Sequence, residues 1–279
     1  MRPGTHRLLT WQPTFAGISS QSGRDKISET CGDVEANRGF VGASGEWMNG
    51  NHYCLTVSEM TFPTAQAEKI FDLVWRLDFT APGFAVLDTG PGFGSHTLRA
   101  SMVVLKHRLS EVASCRGGKP FSYRSMARFD QQETTKFHLD GAPAESLLML
   151  GYEPSKVRSR LFLADFSRAA FDLGITPAHF LTDFNPMYGK GEEVLGRYIT
   201  ELPQPIEGHS RILLVNNSFL PFTDARTNPL GVMHKAIILP DDTERRIVNS
   251  TMLAVGGEEI GVEKQEDFVT TDEISRKIY

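Results

Sequence analysis

The chain has 279 residues, 40% of them hydrophobic and 23% charged, with a formal net charge of −5. This length suits one large globular domain or two small ones, the composition is ordinary for a globular protein, and the slightly acidic balance without basic stripes gives no reason to expect a nucleic-acid or anionic-membrane partner. No run of about 18 apolar residues offers a membrane span. Cys31, Cys54 and Cys115 are odd in number and lack metal-type spacing, which fits free thiols in a reducing compartment better than a disulfide framework. The opening Met1-Arg2-Pro3-Gly4 lacks the apolar stretch of a secretory signal. The expectation is a cytoplasmic protein with no membrane association; the oligomeric state is not legible.

Residues 1–60 are rich in Gly, Ser, Asn and Trp with little periodicity and read as loops and short strands wrapping a core. From Pro63 to Phe79, Ala65, Ile70, Phe71, Val74 and Leu77 fall near helical spacing, with Pro63 suited to a first turn. Gly83 to Leu87 reads as a short strand. Ser95 is placed to cap a helix through Leu98, Met102, Leu105 and Leu109 that stops near Gly117-Gly118. The preceding Gly90-Pro91-Gly92-Phe93-Gly94-Ser95 matches neither dinucleotide nor P-loop spacing and lacks the lysine, so it is a loop with a helix cap rather than a nucleotide site.

From Pro120 the texture becomes β-like. Candidate strands are Phe121–Phe129, Thr134–Leu139, Ser146–Tyr152, Arg160–Phe166, Val194–Leu202, Arg211–Phe219, Val232–Leu239 and Arg246–Leu253, separated by turn signals such as Glu153-Pro154-Ser155. Eight strands suggest a double-sheet jelly roll, that is, a double-stranded β-helix with a cupin-like core and flanking helices. Residues 167–190 read as a helical insertion, and the acidic tail from Gly256 as a solvated or partly disordered end. The expected organisation is one domain over 1–279: helices and loops in 1–119, the jelly-roll core in 120–255, the tail in 256–279.

The chemistry-bearing pattern is His138-Leu139-Asp140 with a distant His234. An imidazole and a carboxylate at i and i+2 share one face of a strand, and a second imidazole from another strand completes a two-His, one-carboxylate set, the arrangement that suits non-haem Fe(II). The triplet by itself is weak; the plain alternative is two exposed polar residues on a strand edge and an unrelated packed histidine. After His234 come a strand, the turn Pro240-Asp241-Asp242, and Arg245-Arg246. A hairpin would return one guanidinium towards the metal side, where it can hold a carboxylate bidentately.

Through His138, Asp140, His234 and these arginines the chain resembles the Fe(II)/2-oxoglutarate-dependent dioxygenase superfamily over roughly residues 120–255. The resemblance implies that His138, Asp140 and His234 are the iron ligands and catalytic centre. It also implies that Arg245 or Arg246 anchors 2-oxoglutarate; Arg245 is favoured, with Arg246 left open because strand parity depends on the turn. The implied activity is hydroxylation of a small-molecule or amino-acid-like substrate with O2, releasing succinate and CO2; desaturation and epoxidation are not separable from it. Asp140 disfavours the halogenating branch, in which a small residue replaces the carboxylate. Alternatives are a cupin-type isomerase or 2-oxoglutarate-independent dioxygenase, and a non-enzymatic jelly-roll binding module.

Secondary pocket candidates are Asn217, whose amide interrupts an apolar strand together with Asn216 and can face the co-substrate or shape a turn; Arg124 and Arg128, which share a strand parity and can bind an anionic substrate or form exposed salt bridges; and Tyr123, Phe137 and Phe219, which line a cavity or simply the core. His96 and His107 lack a carboxylate at ligand spacing and read as surface residues. No nucleophile signature appears.

Overall fold

The apolar runs of the second half become strands covered on both faces, and their order decides the architecture. The structure is a computed structural model that describes residues 52–57, 61–183, 189–222, 228–239, 241, 243–257 and 261–275. All of these lie in one compact unit, Val41–Tyr279. The loops and strands expected over residues 1–51, and Cys31 with them, lie outside the described residues.

The strands are β1 Cys54–Thr56, β2 Phe84–Pro91, β3 Phe121–Asp130, β4 Ser146–Tyr152, β5 Ser159–Ala164, β6 Ile199–Glu201, β7 His209–Asn216, β8 Met233–Ile238 and β9 Ile247–Val255. They form a six-stranded sheet ordered β1-β2-β7-β4-β9-β3 and a three-stranded sheet ordered β6-β5-β8. The run Thr134–His138 extends the smaller sheet beyond β8. Taking that run as the second of eight, the first strand of the core pairs with the last (β3 with β9), the second with the seventh (Thr134–His138 with β8), the third with the sixth (β4 with β7) and the fourth with the fifth (β5 with β6). This nesting is the double-stranded β-helix, or jelly roll.

Parity sorts the side chains. Leu148, Leu150 and Tyr152 of β4, Leu213 and Val215 of β7, and Val248 and Met252 of β9 fill the space between the sheets together with Leu161, Leu163, Ala236 and Ile238 of the smaller one. The alternate residues Leu147, Met149, Ile212, Leu214 and Leu253 point outward, under helices α1 (Thr64–Val74) and α2 (Ser95–Cys115). With both faces covered, β4 is buried along its whole length and β7 from Ser210 onward, which is why they read as near-continuous apolar runs. Gly151 leaves room for this layer: a Cβ there would meet Met102 Sδ at 2.5 Å, so a larger residue would push the Met102 side chain of α2 aside. A third cluster, including Phe137, Phe166, Phe180, Leu195 and Met233, covers the outside of the smaller sheet with α3 (Phe166–Asp172), α4 (Pro177–Asp183) and α5 (Gly189–Leu195), the expected helical insertion.

Several local expectations are corrected. Thr134–Leu139 is not a regular strand: the Thr134 and Thr135 hydroxyls accept the N–H groups of Ile238 and Ala236, replacing main-chain acceptors, and only His138 forms a bridge. Residues 194–202 begin as the end of α5 and a single 3-10 turn, and only Ile199–Glu201 is strand. Ser95 does not cap α2. Gly94 holds the cap position, and the Ser95 hydroxyl donates to Glu153 at 2.6 Å. Arg124 and Arg128 do not share a face, because β3 bulges between Tyr123 and Ser125 and reverses the parity. Arg124 is exposed, while Arg128 is buried against Glu153 and the Asp272 carbonyl. Part of the acidic tail folds as α6, Val262–Thr270, seated by Phe268. Its last turn and the residue after it are held by Arg99, which donates to the Val269 and Thr271 carbonyls.

Glu153, just past β4, joins these pieces. Its carboxylate accepts from Arg128 (3.1 and 3.2 Å), Ser95 and Asn249 (3.1 Å). Burial alone would raise its pKa, but these donors, Arg128 first, outweigh it and hold the carboxyl below its usual value. A lowered folded pKa stabilises fully above the unfolded value, about 4.3, and the contribution is lost as pH falls through the lower folded value. Glu153→Gln is therefore expected to cost about 2–3 kcal/mol near pH 7 by stranding Arg128. The variant's urea-unfolding free energy should also vary less than wild type's between about pH 5 and pH 2. Parallel pH curves for the two proteins would contradict this.

Candidate metal centre

His138 and His234 are opposite members of an antiparallel bridge. Each donates its main-chain N–H to the other's carbonyl at 3.1 Å. Directly paired residues present their side chains on the same face of a sheet, and the two imidazoles stand with centroids 4.2 Å apart. Asp140, two residues past His138, brings its carboxylate Oδ1 to 3.4 Å from His138 Nε2. One potential ligand atom from each of the three residues lies within 4.8 Å of the others. All three are partly exposed at the mouth of a cleft between the sheets.

The chemistry of this donor set fits a divalent transition metal. His138 Nδ1 lies 2.7 Å from the Lys136 carbonyl, which only accepts, so Nδ1 carries the proton. The neutral ring then has its lone pair on Nε2, the atom facing Asp140. A ring nitrogen tied to a main-chain carbonyl while the other is left to coordinate is the arrangement of metal-ligating histidine. Two imidazoles and one carboxylate on one side of an ion leave its remaining positions open, which suits non-haem Fe(II).

From this mouth the cleft runs inward past Leu150, Leu163, Leu213 and Ser250 to Tyr152 and Gln131. Beyond Tyr152 lie two buried guanidiniums. Arg246, 4% exposed, precedes β9 and lies 4.8 Å from the centroid of the Tyr152 ring. Its Nε donates to Ser159 Oγ at 3.2 Å and its Nη1 to Gln131 Oε1. Arg211 of β7, 8% exposed, lies 5.6 Å from the same centroid and donates from Nη1 to the Pro203 carbonyl. Burial, and further down the Arg246 charge, depress its pKa below the usual arginine value. Among the described residues no carboxylate lies within salt-bridge distance of either. Burying cationic groups without a directly paired carboxylate is costly, so this end of the cleft suits an anion.

The structure thus brings His138, Asp140 and His234 to one cleft, places Arg246 against the Tyr152 and Gln131 that line its inner end, and separates the others from it. Arg245, the favoured anchor, is exposed, with its carbonyl accepting from Ser155 Oγ. The parity that the turn left open puts Arg246 inward instead. Asn217 does not face the cleft: its amide is spent on the main chain of Asp140 and on Ser146. Tyr123 belongs to the layer beneath the helices and Phe137 and Phe219 to the cluster under the insertion; the aromatic residues along the cleft are Phe129, Tyr152 and Phe162. Arg211 escaped sequence reasoning, although a signal exists. It shares strand parity with inward-facing Leu213 and Val215, an arginine where an apolar residue is expected.

No protein-family model matches the chain, and no curated protein matches it. Among solved structures, the iron and alpha-ketoglutarate-dependent endoperoxidase NvfI is similar at 11% sequence identity, covering 63% of this chain and 79% of that one with a TM-score of 0.34. The same enzyme in a different conformation is similar at 11% identity over 63% and 77%, with a TM-score of 0.33. The jelly-roll topology stands on the strand pairing itself, not on these likenesses.

Proposed function

We propose that the chain is a non-haem Fe(II)- and 2-oxoglutarate-dependent oxygenase that hydroxylates a small-molecule or amino-acid-like substrate. The observation that carries this reading is a two-His, one-carboxylate set at the mouth of a cleft and, against the Tyr152 and Gln131 that line its other end, the buried guanidinium of Arg246, which has no carboxylate within salt-bridge distance among the described residues. Arg246 is tied to Ser159, the register partner of Ile238, four residues along β8 from His234. At about 3.3 Å per residue, the two ends are separated by roughly 13 Å of strand.

His138, Asp140 and His234 hold the metal, with the Lys136 carbonyl fixing the His138 tautomer. Arg246 and its Ser159 and Gln131 partners hold the distal carboxylate of the co-substrate. Leu150, Leu161, Leu163, Leu213 and Val248 exclude water from the space between. When bound, iron and 2-oxoglutarate supply the oxidising chemistry, in which O2 is consumed and succinate and CO2 are released; the protein supplies orientation and a dry pocket.

Anaerobic titration of Fe(II)-loaded protein with 2-oxoglutarate tests the reading. The expected result is one iron per chain and a visible metal-to-ligand charge-transfer band that saturates with 2-oxoglutarate. Bound iron without such a band would sink the 2-oxoglutarate assignment and turn the reading to a cupin-type metalloenzyme. Absence of stoichiometric metal would leave a binding module.

A further inference from the structure

Asp140 lies just beyond the end of strand pairing, for His138 is the last bridged residue before the Gly141-Ala142-Pro143 turn. A ligand on such a segment needs its main chain held, and here a side chain holds it. Asn217, 1% exposed, accepts the Asp140 N–H on Oδ1 at 3.0 Å and donates from Nδ2 to the Asp140 carbonyl at 3.0 Å. The amide thereby pairs with Asp140 as a neighbouring strand would. Only a carboxamide both accepts and donates in this way, and the two main-chain partners fix which end is oxygen. The second Nδ2 hydrogen goes to Ser146 Oγ at 3.0 Å.

The segment carrying Asn217 is also fastened to the element carrying His234. The Asn216 carbonyl accepts the N–H of Val232, two residues before His234, at 2.8 Å. Gly231 packs so closely on this segment that a Cβ there would lie 1.8 Å from the Ser218 carbonyl oxygen, which no other residue tolerates. The Asn216 side chain accepts from the Ser218 N–H and donates to the Val74 carbonyl, anchoring the segment to α1. Asn216-Asn217-Ser218 therefore touches both the Asp140 segment and the lead-in to His234.

We propose that Asn217 is a positioning residue that sets Asp140 against the His138–His234 pair, and that the Asn216–Ser218 segment fixes the spacing of the metal ligands. This rests on the assignment of those three residues as ligands. The test is anaerobic Co(II) titration of the full chain, read by the d–d absorption of the bound ion, beside thermal unfolding of the metal-free protein. Asn217→Ala is expected to weaken Co(II) about 10- to 100-fold, the range for partners that orient ligands, and to change the d–d spectrum. Ser146→Ala removes a bond to the same amide but leaves both Asp140 bonds, so it is expected to lower thermal stability with Co(II) affinity and spectrum unchanged. Asn217→Ser keeps a neutral hydroxyl that can meet only one of the two Asp140 groups; its loss should be intermediate, and it decides the matter where the alanine variant does not fold. Wild-type affinity and spectrum in a folded Asn217 variant would overturn the proposal. A wild-type protein that binds no Co(II) would overturn the metal-centre reading, and this inference with it.

Discussion

His234→Ala is expected to abolish stoichiometric Fe(II) binding, and with it the 2-oxoglutarate charge-transfer band, while leaving the protein folded. His234 contributes one of three ligand atoms grouped within 4.8 Å. Removing a partner that only orients a ligand costs about 10- to 100-fold in metal affinity, so removing a ligand costs more than about 100-fold. The fold should survive because the bond pair between His138 and His234 is main chain to main chain, and truncating a partly exposed side chain at a cleft mouth opens no closed cavity. His138→Ala should behave alike. The check is anaerobic iron titration beside circular dichroism. A folded His234→Ala protein that binds one Fe(II) as tightly as wild type would remove His234 from the centre.

The second large effect separates two adjacent arginines. Arg246→Met is expected to raise the dissociation constant for 2-oxoglutarate about 100-fold, whereas Arg245→Met should leave it within roughly twofold. Hydrogen bonds to charged groups contribute about 1.5–3 kcal/mol each, so losing a bidentate pair costs at least about 3 kcal/mol, a factor of about 100. Methionine keeps roughly the length, exchanges the cation–π contact with Tyr152 for a sulfur–aromatic one, and removes a buried charge that no carboxylate within salt-bridge distance compensates among the described residues. Metal-free Arg246→Met should therefore lose no more than about 1–2 kcal/mol, the cost of leaving Gln131 and Ser159 without their partner. Equal effects of the two substitutions, or an effect confined to Arg245→Met, would move the anchor.

The contrast between Arg245 and Arg246 marks the limit of sequence reasoning here. Strand side chains alternate strictly, but the phase is set where the strand begins, and that depends on the turn after β8. The same limit misassigned Arg124 and Arg128, since one bulged residue in β3 reverses every later side chain. The acidic tail misled for another reason. Phe268 and its neighbour Val269, together with carbonyls held by buried Arg99, seat α6, and neither signal stands out in a run of carboxylates.

What the chain determined by itself is local and periodic. It set the β-rich second half, the strands β3, β4 and β9 nearly to their ends, the long helix α2, and the spacing that lets His138 and Asp140 face one way. Those follow from side-chain alternation and helical periodicity, which need no knowledge of partners. Only the tertiary structure decided what depends on pairing across distance: that His138 and His234 are bridge partners, that Arg246 and Arg211 converge on one tyrosine, and that the Asn217 amide pairs with Asp140 rather than facing the cleft. These contacts join residues dozens of positions apart, and their register is fixed by the burial of two sheet faces at once, a condition that no single segment carries.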